Sequence, residues 1–257
     1  MSARAQITLT ALADIPLVQP GDDLVDIVLD ALQQSDILLR PGDVLVIAQK
    51  IVSKAEDRYV DLGEINPSRR ARALAAEVEK DPRLVEVILS ESSEVVRNRP
   101  GVLVVAHRLG FVLANAGVDS SNAEQGSGSE RVLLLPRDPD GTCADIRREL
   151  SVHTSTQVGI IINDSHGRAW RNGTVGVALG AAGMPALLDL RGAPDLYGER
   201  LEATQVGLAD EIAAAASVLM GQGADGQPVV HVRGLPYPLR VGAAAELLRA
   251  KSNDLFR

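Results

Sequence analysis

Apolar positions along this chain come in short runs, and the period changes from one run to the next. Residues 7–12 predict a first strand. Asp22 or Asp23 caps a helix through residue 32, with Leu24, Ile27, Val28, Ala31 and Leu32 at helical spacing. The turn Pro41-Gly42-Asp43 leads into residues 44–48, a β-branched run expected to be buried on both faces of a sheet. Residues 49–56 come straight off its end. Residues 67–79 and 82–89 predict helices, as do 143–150 (set up by Asp138-Pro139-Asp140), 206–220 and 242–251. Further strands are expected at 102–106, 110–115, 132–135, 158–163 and 229–232. Residues 124–130 are small and polar, and predict a mobile loop. Residues 173–183 are rich in glycine, which permits either close backbone packing or the approach of a ligand. Strands and helices interleave without a regular βαβ cadence and without an internal repeat. The expected fold is therefore α+β, with mixed or antiparallel sheets and flanking helices, rather than a doubly wound sheet.

Composition narrows the function classes. At 257 residues the chain can bury a substantial core, as one domain over 1–257 or two intimate subdomains. Aromatic residues make up only 2%, so Val, Leu, Ile and Ala must build that core. The same scarcity leaves little for stacking single-stranded nucleic acid, and a formal charge of −8 argues further against a nucleic-acid surface. No apolar run approaches the ~20 residues needed to cross a bilayer. The N-terminal segment lacks the apolar centre of a signal peptide. A single cysteine, Cys143, excludes an internal disulfide framework and reads as a small core residue. A cytoplasmic protein, with no nucleic-acid or membrane partner, is the expectation.

Candidate chemistry gathers in two polar islands, each following an apolar run: residues 116–122 (AGVDSSN) and 163–173 (NDSHGRAWRNG). Asp119 and Asp164 are carboxylates at the ends of expected strands, and such pairs hold hard divalent cations together with substrate phosphate oxygens. Asn122 and Ser165 stand close behind them, and Arg168 and Arg171 suit oxyanions. The plainer alternatives stay open here. Asp119 to Asn122 can be a self-bonded turn, and Asp164 a helix cap followed by solvated arginines. Lys50 and Lys54 straddle the exit of the 44–48 strand, either as a solvated rim or to neutralise phosphate. No Walker loop and no Gly-x-Gly-x-x-Gly is present, so any phosphate site must be assembled from distant segments. The four histidines show no metal-ligand spacing, and His166 reads as structural or supporting.

Taken together, five stretches in register resemble the coenzyme F420-0:L-glutamate ligase family, also called F420 γ-glutamyl ligase. They are 43–56 (DVLVIAQKIVSKAE), 116–122, 164–173, 191–198 (RGAPDLYG) and 209–216 (ADEIAAAA). The resemblance implies an intertwined α+β homodimer that joins L-glutamate to coenzyme F420-0, and then further γ-linked glutamates, at the expense of GTP. It implies two divalent cations, Mn²⁺ or Mg²⁺, and K⁺. By position, Ile15, Pro16, Leu17 and Val18 would line the guanine nucleotide and Lys54 would meet its phosphates. Asp119 would bind metal and Asn122 the nucleotide, with Asp164 and Ser165 holding the metal pair. Gln205 would add a metal or nucleotide contact. Asp119, Asp164 and Lys54 form the implied catalytic set. Two departures stand out: Gln49 occupies a nucleotide-contact position where relatives often carry Ser, and Asp57 replaces a usual Gly. A reductase-like C-terminal extension found in some relatives is not part of this sequence, which argues against bound flavin. The rival readings are a metal-dependent phosphohydrolase and a non-catalytic GTP-binding homologue.

Overall fold

A computed structural model describes residues 6–119, 130–237 and 239–255. In chain order, β1 (Thr8–Ala11), α1 (Leu24–Gln34), β2 (Val44–Ala48) and α2 (Gln49–Ala55) come first. There follow β3 (Tyr59–Asp61), α3 (Arg69–Val78), α4 (Pro82–Ser90), β4 (Ser92–Arg99), β5 (Val102–His107), β6 (Val112–Ala114) and β7 (Arg131–Leu133). Then come α5 (Pro139–Thr154), β8 (Gly159–Arg168), β9 (Arg171–Ala182), β10 (Leu188–Asp189), β11 (Gln205–Val206), α6 (Leu208–Met220) and β12 (Val229–Arg233). The mixed α+β class expected from the sequence is the class observed.

The central sheet has the order β1-β12-β2-β8-β9, antiparallel throughout except for the parallel pair β2 and β8. Its middle strands are apolar on both faces because both faces are covered. Leu45, Ile47, Ile160 and Ile162 pack with α1 and α5, while Val44, Val46 and Ile161 pack with α6. The parallel pair requires a crossover. That crossover, residues 49–158, contains a second, smaller core in which α3 and α4 cover the antiparallel meander β4-β5-β6. Helix starts follow the sequence signals: Asp23, Ser68, Asp81 and Asp138 each accept a bond from a first-turn backbone N–H.

The glycine-rich segment is the strand β9, and its glycines serve close packing. A Cβ on Gly176 would stand 2.1 Å from Ser217 Oγ and 2.5 Å from the Ala213 carbonyl oxygen of α6. One on Gly180 would stand 2.4 Å from the Pro139 carbonyl oxygen of α5. Two helices thus approach opposite faces of one strand at backbone distance.

Several expectations are corrected. The segment 163–173 begins no helix: β8 runs on to Arg168 and turns at Trp170 into β9, so Arg168 and Arg171 pair across a hairpin tip. Helix α5 starts four residues earlier than expected, with Pro139 in its first turn behind the Asp138 cap. The segment 242–251 forms short 3₁₀ turns, Ala244–Leu247 and Lys251–Asn253, instead of a helix. The Asp140 carboxylate draws in the backbone N–H groups of Ala244 and Ala245, which competes with helical pairing there. Strand β4 had no sequence signal, because its half-buried, polar SSEVVRNR carries two register shifts that destroy alternation. Cys143 is buried in the core as expected, where desolvation pushes its thiol pKa up. Residues 124–129 of the polar loop lie outside the described residues. Among the described residues, no helix is long and apolar enough to cross a membrane.

Candidate functional site

The parallel pairing builds the site. Ala48, the last residue of β2, lies opposite Asn163 of β8, so α2 leaves the sheet at Gln49 at the level where β8 runs on through Asp164, paired there only with β9. Ligands of open sheets commonly gather at such carboxyl ends. Here they border a cavity of about 550 Å³. One wall is the segment Ile15, Pro16, Leu17 and Val18, before α1. A second is α2, with Gln49 and Lys50 in its first turn and Lys54 in its last. Asp164 and Ser165 form a third, and residues 220–228, between α6 and β12, close the fourth.

Polarity is divided among these walls. Val18 is buried while Leu17 is 82% exposed, so the first wall anchors by one side chain and presents another. Gln49 is buried, and its Oε1 has no hydrogen-bond partner among the described residues. A buried acceptor left so is costly, and a ligand donor or a cation in the cavity would satisfy it. Asp164 Oδ2 lies 3.1 Å from His166 Nε2, two residues along the same strand face, and the imidazole stands edge-on to Phe111. Lys50 Nζ meets Asp119 Oδ2 at 2.8 Å. Asp119 itself is held by a two-way backbone bridge to Leu133, at 3.0 and 2.8 Å. It therefore reaches the cavity through Lys50 instead of lining it.

The structure brings together Ile15, Pro16, Leu17, Val18, Gln49, Lys54, Asp164 and Ser165, with Asp119 adjacent. Gln205 is placed elsewhere: it is exposed on the two-stranded β10-β11 ribbon, opposite Asp189, and is not among the residues lining the cavity. Asn122 lies outside the described residues. Asp57 does adopt the left-handed region, with φ of 51°, directly after the α2 cap. Asp is one of the few non-glycine residues that visits this region routinely, so the substitution keeps the turn at about 1–2 kcal/mol of strain. The fourth wall was missed from sequence. Its signal was present in GQGADGQP, three glycines in six positions between a helix and a strand, with Gly221 and Gly226 at positive φ.

Can these residues hold divalent cations? Among the described residues, no three His, Cys, Asp or Glu side chains form a metal-binding group. The donors present are nevertheless all hard oxygens: the carboxylates of Asp164 and Asp119, the Ser165 hydroxyl and the unpartnered Gln49 amide oxygen. Mg²⁺ and Mn²⁺ sites that use one or two carboxylates plus substrate phosphates have this chemistry. The residues fit such an ion when phosphate oxygens complete the shell.

Comparison with known proteins identifies the family. A family model described as F420-0:Gamma-glutamyl ligase matches residues 13–234. The chain belongs to that family. It is 46% identical over 253 residues to a coenzyme F420:L-glutamate ligase of Methanothermobacter thermautotrophicus, covering 98% of this chain and 99% of the relative. Relatives of the same name from Methanopyrus kandleri and Archaeoglobus fulgidus are 45% and 44% identical, each covering 93% or more of both chains. The span matched to the F420-0:gamma-glutamyl ligase family contains every wall of the cavity, and residues 235–257 fall beyond it.

Proposed function

We propose that this protein is a GTP-dependent ligase that adds L-glutamate to coenzyme F420-0, and further glutamates through γ-linkages, by way of an acyl phosphate. The observation that carries the reading is the cavity where β2 ends beside Asn163 to Ser165 of β8. It sets an apolar wall, a lysine and a metal-competent carboxylate around one space, in a chain of this family. Divalent Mn²⁺ or Mg²⁺, two ions in all, and K⁺ are the proposed cofactors, and a cytoplasmic homodimer the proposed working form.

A carboxylate is a poor acyl donor because oxide would have to leave. In the proposed reaction a carboxylate oxygen of F420-0 attacks the γ-phosphorus of GTP. A new O–P bond forms, the β–γ bridging bond breaks, and GDP departs. The amine of glutamate then attacks the acyl carbon, phosphate leaves with the C–O bonding pair, and the nitrogen loses a proton to give the amide. Such chemistry asks the protein mainly to position anions and stabilise charge. Ile15 to Val18 would flank the base, with Gln49 Oε1 as an acceptor for a nucleotide N–H or hydroxyl. Lys54 would supply fixed positive charge to the phosphates. Asp119, Asp164 and Ser165 would hold the cations, which when bound neutralise phosphate oxygens.

Mass spectrometry of a reaction with F420-0, L-glutamate, GTP and Mn²⁺ tests the proposal, with glutamate omitted in parallel. A glutamate-dependent ladder of glutamyl additions is the expected result. Phosphate release that ignores glutamate would replace the ligase with a phosphohydrolase, and GTP binding without turnover would leave a binding homologue.

A further inference from the structure

Lys50 sits on the first turn of α2, between the carboxylate beside the cavity and the cavity itself. Its Nζ is 2.8 Å from Asp119 Oδ2, and the two side chains are 32% and 31% exposed. Asp119 is the fixed partner, pinned through its backbone to Leu133. Lys50 is the movable one, a compact charge on a flexible stem that lines the cavity beside Gln49 and Lys54. Asp119 and Asp164 share this region with two ammonium groups of α2, Lys50 and Lys54. A dication approaching alone is repelled by both, and it must also displace Lys50 from its carboxylate. A polyphosphate changes both terms, because it brings oxygen ligands for the metal and a new partner for the lysine.

We propose that Lys50 is a stand-in cation on Asp119, so that divalent metal enters this site with the nucleotide and not ahead of it. The proposal rests on the reading of the cavity as a metal–nucleotide site. Lys50 is a positioning residue here: it controls when Asp119 becomes available. A purely structural ion pair would hold Asp119 in place and leave metal affinity unchanged on neutralisation, or weaken it.

The test is Mn²⁺ binding to the full chain, followed by electron paramagnetic resonance, with and without GDP. Wild type, Lys50→Gln, Lys50→Arg and the double variant Lys50→Gln/Asp119→Asn are compared, each with its circular dichroism spectrum. Without GDP, Lys50→Gln is expected to bind Mn²⁺ about tenfold or more tightly than wild type, the size of effect set by removing one near charge from a half-exposed pair. Lys50→Arg should stay near wild type, and the double variant should lose the gain. With GDP the advantage of Lys50→Gln should shrink or reverse. Unchanged Mn²⁺ affinity in Lys50→Gln, or a gain that survives in the double variant, would overturn the proposal while leaving the site reading intact. If wild type bound no Mn²⁺ even with GDP, the site reading itself would fall, and this inference with it.

Discussion

Asp119 and Asp164 are both acidic, yet their surroundings give them different tasks. Asp164 faces the cavity from a rigid strand, with His166 against one oxygen, whereas Asp119 is masked by Lys50. Replacing either by Asn keeps the shape and removes the charge that a cation needs. Asp164→Asn and Asp119→Asn are each expected to lower glutamate-dependent GDP release by roughly 10²–10³-fold with the circular dichroism spectrum unchanged. Near-normal turnover at saturating metal would refute the assignment. Asp43, at the other end of β2, is a structural carboxylate. Burial pushes its pKa up, but bonds from Arg233 and the Arg40 N–H and the nearby His231 outweigh burial and hold it below the usual carboxylate range. His231 Nε2 stands 2.9 Å from Oδ2 and adds to this lowering. A lowered folded pKa means stability that is fully present above the unfolded value, about 3.9, and is lost as pH falls through the folded one. Asp43→Asn should therefore cost about 1–3 kcal/mol at neutral pH. The gap in melting temperature to wild type should narrow below about pH 4. A gap that stayed constant into acid would show that Asp43 contributes by shape alone.

At the scale of elements, β9 is the hinge of the packing. Pairing with β8 on one edge and contacts with α5 and α6 on its two faces leave no room at Gly176 and Gly180. Gly176→Ala is expected to destabilise the fold by about 1–3 kcal/mol through overpacking. The effect should also reach the site, because Ser217, which the new methyl would push, accepts a bond from Asn163, and Asn163 precedes Asp164. Chemical denaturation of Gly176→Ala measures the first effect and its KM for GTP the second. A variant as stable as wild type would mean that α6 slides freely, contrary to the packing. Glycine spacing alone could not decide between a ligand and a helix as the close neighbour of β9, since both demand the same missing side chain.

For the whole molecule, the crossover between β2 and β8 encloses the smaller core and brings Asp119 back to α2 from some 70 residues away in the chain. Nucleotide and metal would bind across segments from before α1, α2, β8 and the loop after α6. A ligand that ties these together should stabilise the folded state as a unit. GTP with Mn²⁺ at about one hundred times the dissociation constant should add about 2.7 kcal/mol, read as a rise in melting temperature. GTP with Mn²⁺ should raise it more than either alone, and equal shifts would argue against a shared site.

Much was legible along the chain because it depends on neighbours in sequence: the β-branched run of β2, the cap at Asp23, the Asp138 start of α5, and the polar islands around Asp119 and Asp164. The motif order pointed to the family, and most of its implied nucleotide wall and Asp164 with Ser165 do meet at one cavity. Other features were settled only by tertiary structure. Residues 163–173 looked able to cap a helix, and pairing with β9 made them a hairpin. Residues 242–251 had a helical pattern that the Asp140 carboxylate diverted into 3₁₀ turns. Gln205 was drawn into a ribbon away from the cavity, and the loop 221–227 was brought into it. Local propensity is worth tenths of a kcal/mol per residue, whereas a strand pairing or a buried carboxylate bond is worth more. Where long-range partners compete for the same backbone, they decide the outcome, and a one-dimensional pattern does not name them.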